Sequence, residues 1–266
     1  MPPPWRLSRV VGWATTSLFG DPVLLLAPVF AFIAMMLFAF SLGAPGRPEV
    51  VLPLVSLPPF DAFQDLVIID ITTRSDLATW LLRAVALLLR TAMFGVLLHL
   101  AVQRARDAAP SLSDAVAFVR RRFSTLALLQ LLSYAAFGMA LSVGANLTST
   151  RDDGAIATGL LFGVWLLAGF FVAAATEEVP AGTAVRRGFG RTIRRPLGNL
   201  GLVLLYGFAT NGLYRLASTG ETGWPRALPL TLYGFLSALL TMWFLLAFSR
   251  RQSLLVLPSP GSAEAG

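Results

Sequence analysis

The chain has 266 residues, of which 56% are hydrophobic and 13% charged, with a formal net charge of +7 and a mean hydropathy of +0.71. Soluble domains carry about 25% charged residues, so this composition lacks the polar surface of a water-exposed globule. Cysteine is absent and histidine occurs once, which excludes disulfide and thiolate chemistry and a metal site built on several imidazoles. Lysine is absent too, and the wealth of Ala, Leu, Gly and Pro suggests a GC-rich bacterial genome.

In chain order, Trp5–Phe19 carries Leu7, Val10, Val11, Ala14 and Leu18 at helical spacing, with Arg6, Arg9 and two tryptophans. Such a basic amphipathic segment is expected to lie in the cytoplasmic interface, over residues 5–19. Asp21 offers an N-cap and Pro22 an N1 residue for a new helix. The apolar run from Pro22 exceeds the ~7–15 residues of a signal h-region and no A-x-A site follows it, so it is expected to be a retained span.

Six apolar stretches then follow, at 22–42, 77–100, 125–144, 155–176, 197–216 and 227–248. Each is roughly 20 residues, the length a helix needs to cross ~30 Å of hydrocarbon. The expected fold is all-α: a polytopic six-helix transmembrane bundle in a single domain over residues 1–251, with a flexible cytoplasmic tail at 252–266. The outer connector 43–76 is proline-rich but apolar, with a β-branched run Leu66–Ile71, and is expected to fold over the outer mouth.

Two further segments repeat the design of the first. Pro110–Phe123 has Ser111 or Ser113 as a cap, an apolar side of Leu112, Val116, Val119 and Phe123, and the triplet Arg120, Arg121 and Arg122. Pro180–Pro196 has Thr183 as a cap, Val185, Phe189 and Ile193 spaced by four, and Arg186, Arg187, Arg191, Arg194 and Arg195; Pro196 breaks it. Interfacial helices are therefore expected near 111–123 and 183–195. Each is followed by an outward and a returning span, giving three parallel repeats of interfacial helix plus transmembrane hairpin.

Sidedness follows from the arginines. Arg6, Arg9, Arg104, Arg106, the triplet, the five of Pro180–Pro196, Arg250 and Arg251 fall on one side, against Arg47, Arg74, Arg151 and Arg226 on the other. Positive charge near span ends stays cytoplasmic, so both termini are expected in the cytoplasm, in a bacterial inner membrane. Anionic lipid headgroups are the natural partners of these basic loops, with other membrane or cytoplasmic subunits next and nucleic acid excluded.

Four polar residues inside the spans are candidates for anion contact: Arg83 and Arg90, seven apart on one helix face, and Asn211 and Arg215 in the fifth span. None of the fourteen carboxylates lies centrally in a span. Arg90 therefore snorkels outward past Arg83, faces a polar interior, or meets an anionic headgroup, substrate or subunit. Gln130, Asn199 and Asn211 are expected to bond between helices, and His99 to sit at the cytoplasmic interface. Gly159 and Gly163 form a G-x-x-x-G packing patch, and Ala136, Ala140 and Gly144 another.

Enzyme signatures are missing: there is no G-x-S-x-G, H-E-x-x-H or Walker A motif. Glu177 and Glu178 with Arg186 resemble the diglutamate motif of intramembrane CAAX-processing peptidases, but that motif has its arginine where this chain has Gly182, and needs more histidines than one. The two glutamates are expected to be a solvated helix end, and no cofactor is expected.

DPVLLLAPVF at Asp21–Phe30 and HLAVQRARDAAPSLSDAVAFVRRRF at His99–Phe123 resemble uncharacterised six-span prokaryotic membrane proteins. Some of those form the membrane domain attached to glycerophosphodiester phosphodiesterases. The resemblance implies architecture only, because that enzyme's metal-binding His and Glu residues have no counterparts here. Two functions compete: a non-enzymatic membrane-embedded subunit or scaffold binding headgroups or a partner protein, and a permease for a lipid or anionic solute.

Overall fold

The computed structural model describes residues 7–41, 77–147, 168–194, 196–218 and 224–253, and among them all regular structure is α-helix. The helices are α1 (Leu7–Gly20), α2 (Pro22–Ser41), α3 (Leu77–Ala105), α4 (Leu112–Leu147) and α5 (Ala168–Glu177). They continue with α6 (Ala181–Arg194), α7 (Pro196–Ser218) and α8 (Trp224–Ser253). Leu87–Ala105 of α3 and Leu232–Ser253 of α8 are long and apolar enough to cross a bilayer; α1 with α2, bent by 80° at Asp21, makes a third if the pair is one span. An all-helical, membrane-embedded chain is what these lengths and compositions support.

The C-terminal helix is the hub. It packs on α7, α3, α1 and α2, while α4 packs on α3 and α6. Phe244, Leu245, Leu246, Ala247, Phe248 and Ser249 are all buried in succession, which a helix achieves only when neighbours surround it on every side. Around it, α1 buries a stripe of Val10, Ala14, Ser17 and Leu18.

Local chemistry sets the helix breaks. The Asp21 carboxylate accepts the Val23 amide at 3.0 Å, and Pro22 starts α2 where its missing N–H costs nothing. α2 then runs unbroken through Pro28. Pro196 starts α7 in the same way. Between α3 and α4 the chain turns through Asp107, at φ 60°, and the Ser111 hydroxyl accepts the Asp114 amide at 3.3 Å.

Three expectations change. The segment 111–123 is not a separate interfacial helix: α4 is one helix of 36 residues, about 54 Å long. Its interior sequence Arg122–Thr125 contains neither Pro nor Gly, so nothing interrupts the hydrogen-bond ladder. The third amphipathic helix is capped at Pro180, whose carbonyl accepts the Ala184 amide at 2.9 Å, and not at Thr183. The tail does not begin at 252, because α8 carries on through Ser253 and Gln252 is 2% exposed. The connector 43–76, with Leu66–Ile71, and residues 155–167 of the fourth expected span lie outside the described residues.

Candidate functional site

Two polar assemblies stand out, one at an end of the bundle and one inside it. The first is built where α3, α5 and α8 finish and α4, α6 and α7 begin. Glu177 ends α5, and its carboxylate accepts from both Arg187 and Arg191. Those arginines are four apart and share a face of α6. The Glu177 side chain is only 15% exposed, so the expected solvated helix end is instead a mostly enclosed, doubly paired acid. Glu178 turns the chain at φ 50° and lies 3.7 Å from Arg121 of α4. Arg106 donates to the Thr176 carbonyl near the end of α5.

On the other flank, Arg250 donates to the Ala105 carbonyl and to Asp107, each at 2.8 Å. A cation at the last carbonyls of α3 complements the helix dipole. The same guanidinium lies 5.0 Å from the ring centroid of Trp13 in α1, a cation–π distance. Trp243 donates to Thr15 at 3.1 Å. Arg251 donates to Asn199 Oδ1 at 2.8 Å, and Asn199 Nδ2 donates to the Thr192 carbonyl at 3.4 Å. Asn199 thus joins α6, α7 and α8, the interhelical role expected of it. His99 stacks on Phe118 with centroids 4.5 Å apart and is half-buried.

The arginines marked for docking therefore divide. Arg121, Arg187 and Arg191 are held in ion pairs. Arg120 and Arg186 are exposed, Arg122 is half-buried, and these three make no ion pair among the described residues. Arg195 and the Arg194 side chain lie outside the described residues.

The second assembly is a set of buried polar residues, Arg90 among them, within the bundle. At 1% exposure Arg90 ranks first by volume among the fully buried side chains, so it faces the interior of the bundle and does not snorkel outward. Other polar residues are buried too: Thr91 at 1%, Gln130 at 0%, Ser237 at 6% and Thr241 at 1%. The Tyr206 hydroxyl lies 2.8 Å from that of Thr241, whose proton goes to the Ser237 carbonyl at 2.8 Å. Tyr206 is therefore the donor. Helix register is set by His99 on Phe118, by Gly95 against Val119 and Leu126 and by Arg250 at Ala105. It brings Gln130, Ser237 and Thr241 within ~10 Å of the Arg90 level along the axis. Arg90 itself sits ~22 Å along α3 from Ala105. The side chains of Arg83, Asn211 and Arg215, and Gly159 and Gly163 altogether, lie outside the described residues, as do the surroundings of Ala136, Ala140 and Gly144.

Sequence reasoning missed a close backbone approach between helices, Gly169 of α5 against Gly188 of α6. A spaced pair within one helix was the signal sought; here each helix supplies one glycine. It also missed the acids in left-handed conformation, Asp107 and Glu178. Each precedes a proline, Pro110 and Pro180, that leads into an arginine-bearing helix, and that recurrence was available to find them. Among the described residues no group of three or more His, Cys, Asp or Glu gathers as a metal would require.

Comparison with protein-family models, curated proteins and solved structures finds no match to this chain.

Proposed function

We propose that the chain is a non-enzymatic, membrane-embedded subunit or scaffold that presents a basic cytoplasmic face to lipid headgroups or a partner protein. In this reading it crosses a bacterial inner membrane six times, as three parallel transmembrane hairpins each led by an arginine-bearing segment, with both termini cytoplasmic. The supporting observation is the gathering of arginines at one end of the bundle. Arg106, Arg121, Arg187, Arg191, Arg250 and Arg251 tie the helix ends together there, and Arg120 and Arg186 stay exposed beside them. Six arginines of the basic face are thus structural, while Arg120 and Arg186 are offered outward, as a docking platform requires.

A mild-detergent pull-down of the full chain, with bound proteins and lipids identified, tests this. Recovery of a stable set of membrane or cytoplasmic proteins supports the scaffold; the bare chain with no reproducible companion of either kind overturns it. Cysteine labelling within Ala181–Ile193 tests the sidedness, and external labelling in intact cells would reverse it.

A second reading, a permease subunit for a lipid or anionic solute, is favoured by Arg90. An arginine buried within a membrane bundle is a common mark of a solute path. Copurification with an ATPase supports this alternative.

A further inference from the structure

The bundle treats two sides of α6 differently. Ala181, Ala184, Gly188 and Thr192 are buried, spaced as one helix face and pressed toward α5 through Gly169. Arg186, Phe189 and Ile193 recur at i, i+3 and i+7, so they share another face. Arg186 is exposed, Phe189 is 48% and Ile193 46% exposed, and Leu197, just beyond in α7, is 83% exposed. Large apolar side chains left uncovered beside an arginine mark a surface that something else covers.

Resting on the reading of the chain as membrane-embedded, we propose that this side of α6 is a contact surface for anionic phospholipid. Phe189 and Ile193 enter the acyl boundary and Arg186 holds the headgroup phosphate. Charge complementarity identifies the occupant. Glu177 already occupies Arg187 and Arg191, which leave the face on its other flank, whereas Arg186 makes no ion pair among the described residues. Its cation is thus available to an external anion at the edge of an apolar strip. The arginine stem lies along that strip while the guanidinium reaches the phosphate level, the arrangement an amphipathic interfacial helix uses. Exposed Arg120 on α4, the helix that packs against α6, adds a second cation of the same kind. A bilayer supplies the apolar layer and the anionic layer together, and this face of α6 carries a side chain for each.

The absence of native cysteine makes the test clean. Ile193→Cys, and Ala108→Cys in the exposed turn after α3, are labelled with an environment-sensitive fluorophore in the full chain. The proteins are reconstituted into vesicles of phosphatidylcholine with or without phosphatidylglycerol. The probe at 193 is expected to be shielded from iodide and quenched by spin-labelled lipid, unlike the probe at 108. Spin-labelled phosphatidylglycerol is expected to outcompete spin-labelled phosphatidylcholine there about fivefold. Arg186→Gln should abolish that preference and Arg186→Lys should retain it, with unchanged melting temperature in both. Equal iodide access at 193 and 108 overturns the proposal, and so does equal quenching by the two lipids. Shielding at 193 that appears only with a copurified protein bound also overturns it, in favour of a protein partner. Those outcomes leave the pull-down result untouched, so failure here is separable from failure of the scaffold reading.

Discussion

Gly169 and Gly188 meet backbone to backbone: a Cβ on Gly188 would lie 2.6 Å from the Gly169 carbonyl oxygen and 2.8 Å from the Phe170 amide nitrogen. Neither neighbour is the flexible end of a side chain, so a methyl group there must push α5 and α6 apart. Gly188→Ala is expected to destabilise the protein by about 1–3 kcal/mol, the usual cost of overpacking. Gly190, two residues on, has nothing within 4 Å of its virtual Cβ, so Gly190→Ala is expected to stabilise by about 0.5–1 kcal/mol through helix propensity. Opposite shifts of the two variants in a detergent melt check the contact; shifts of the same sign would refute it.

Glu177 joins two arginines of α6 while only 15% exposed. Removing one partner of an enclosed ion pair leaves charge uncompensated, at 3–5 kcal/mol for a fully buried pair. With the Arg187 side chain 52% exposed, water recovers part of that. Glu177→Gln is therefore expected to cost about 1–3 kcal/mol, and the double change with Arg191→Gln less than the sum of the two singles. Additive losses in that cycle would show that the pair contributes nothing.

Glu178 shows two opposed effects that magnitude decides. A non-glycine residue held at φ 50° costs about 1–2 kcal/mol, whereas an exposed ion pair such as that with Arg121 at 3.7 Å contributes about 0–1 kcal/mol. Strain outweighs the pair. Glu178→Gly should raise the melting temperature modestly, and Glu178→Ala, which loses the pair and keeps the strain, should lower it.

Tyr206 and Thr241 share a buried hydrogen bond at 2.8 Å. Between membrane helices such bonds average about 0.6 kcal/mol and reach about 1.7 kcal/mol. Tyr206→Phe leaves the stacking on Phe244 in place, so its cost isolates the hydroxyl. A coupling energy in that range from the Tyr206→Phe and Thr241→Val cycle is expected; zero coupling would mean that the hydroxyls do not meet.

Much of the architecture was legible because it depends on local chemistry. The Asp21–Pro22 cap and the helix break at Pro196 act within one turn, and both appear where the sequence put them. Where no breaker stood, at Arg122–Thr125, the expected boundary was absent and α4 ran on. The candidate arginines were legible as a group by their sidedness. Which of them are consumed internally was not, because Arg187 and Arg191 meet an acid ten and fourteen residues away, and that pairing exists only once α6 folds back on α5.

From the sequence alone came the helical class, the apolar lengths and the clustering of positive charge, since each is set by composition and by residues within a few positions of one another. Tertiary structure alone decided that Arg90 turns inward, that Glu177 is enclosed and that α8 is the central helix. These depend on which faces meet, and the faces are chosen by contacts between segments far apart in the chain, such as Arg250 with Asp107 and Trp243 with Thr15.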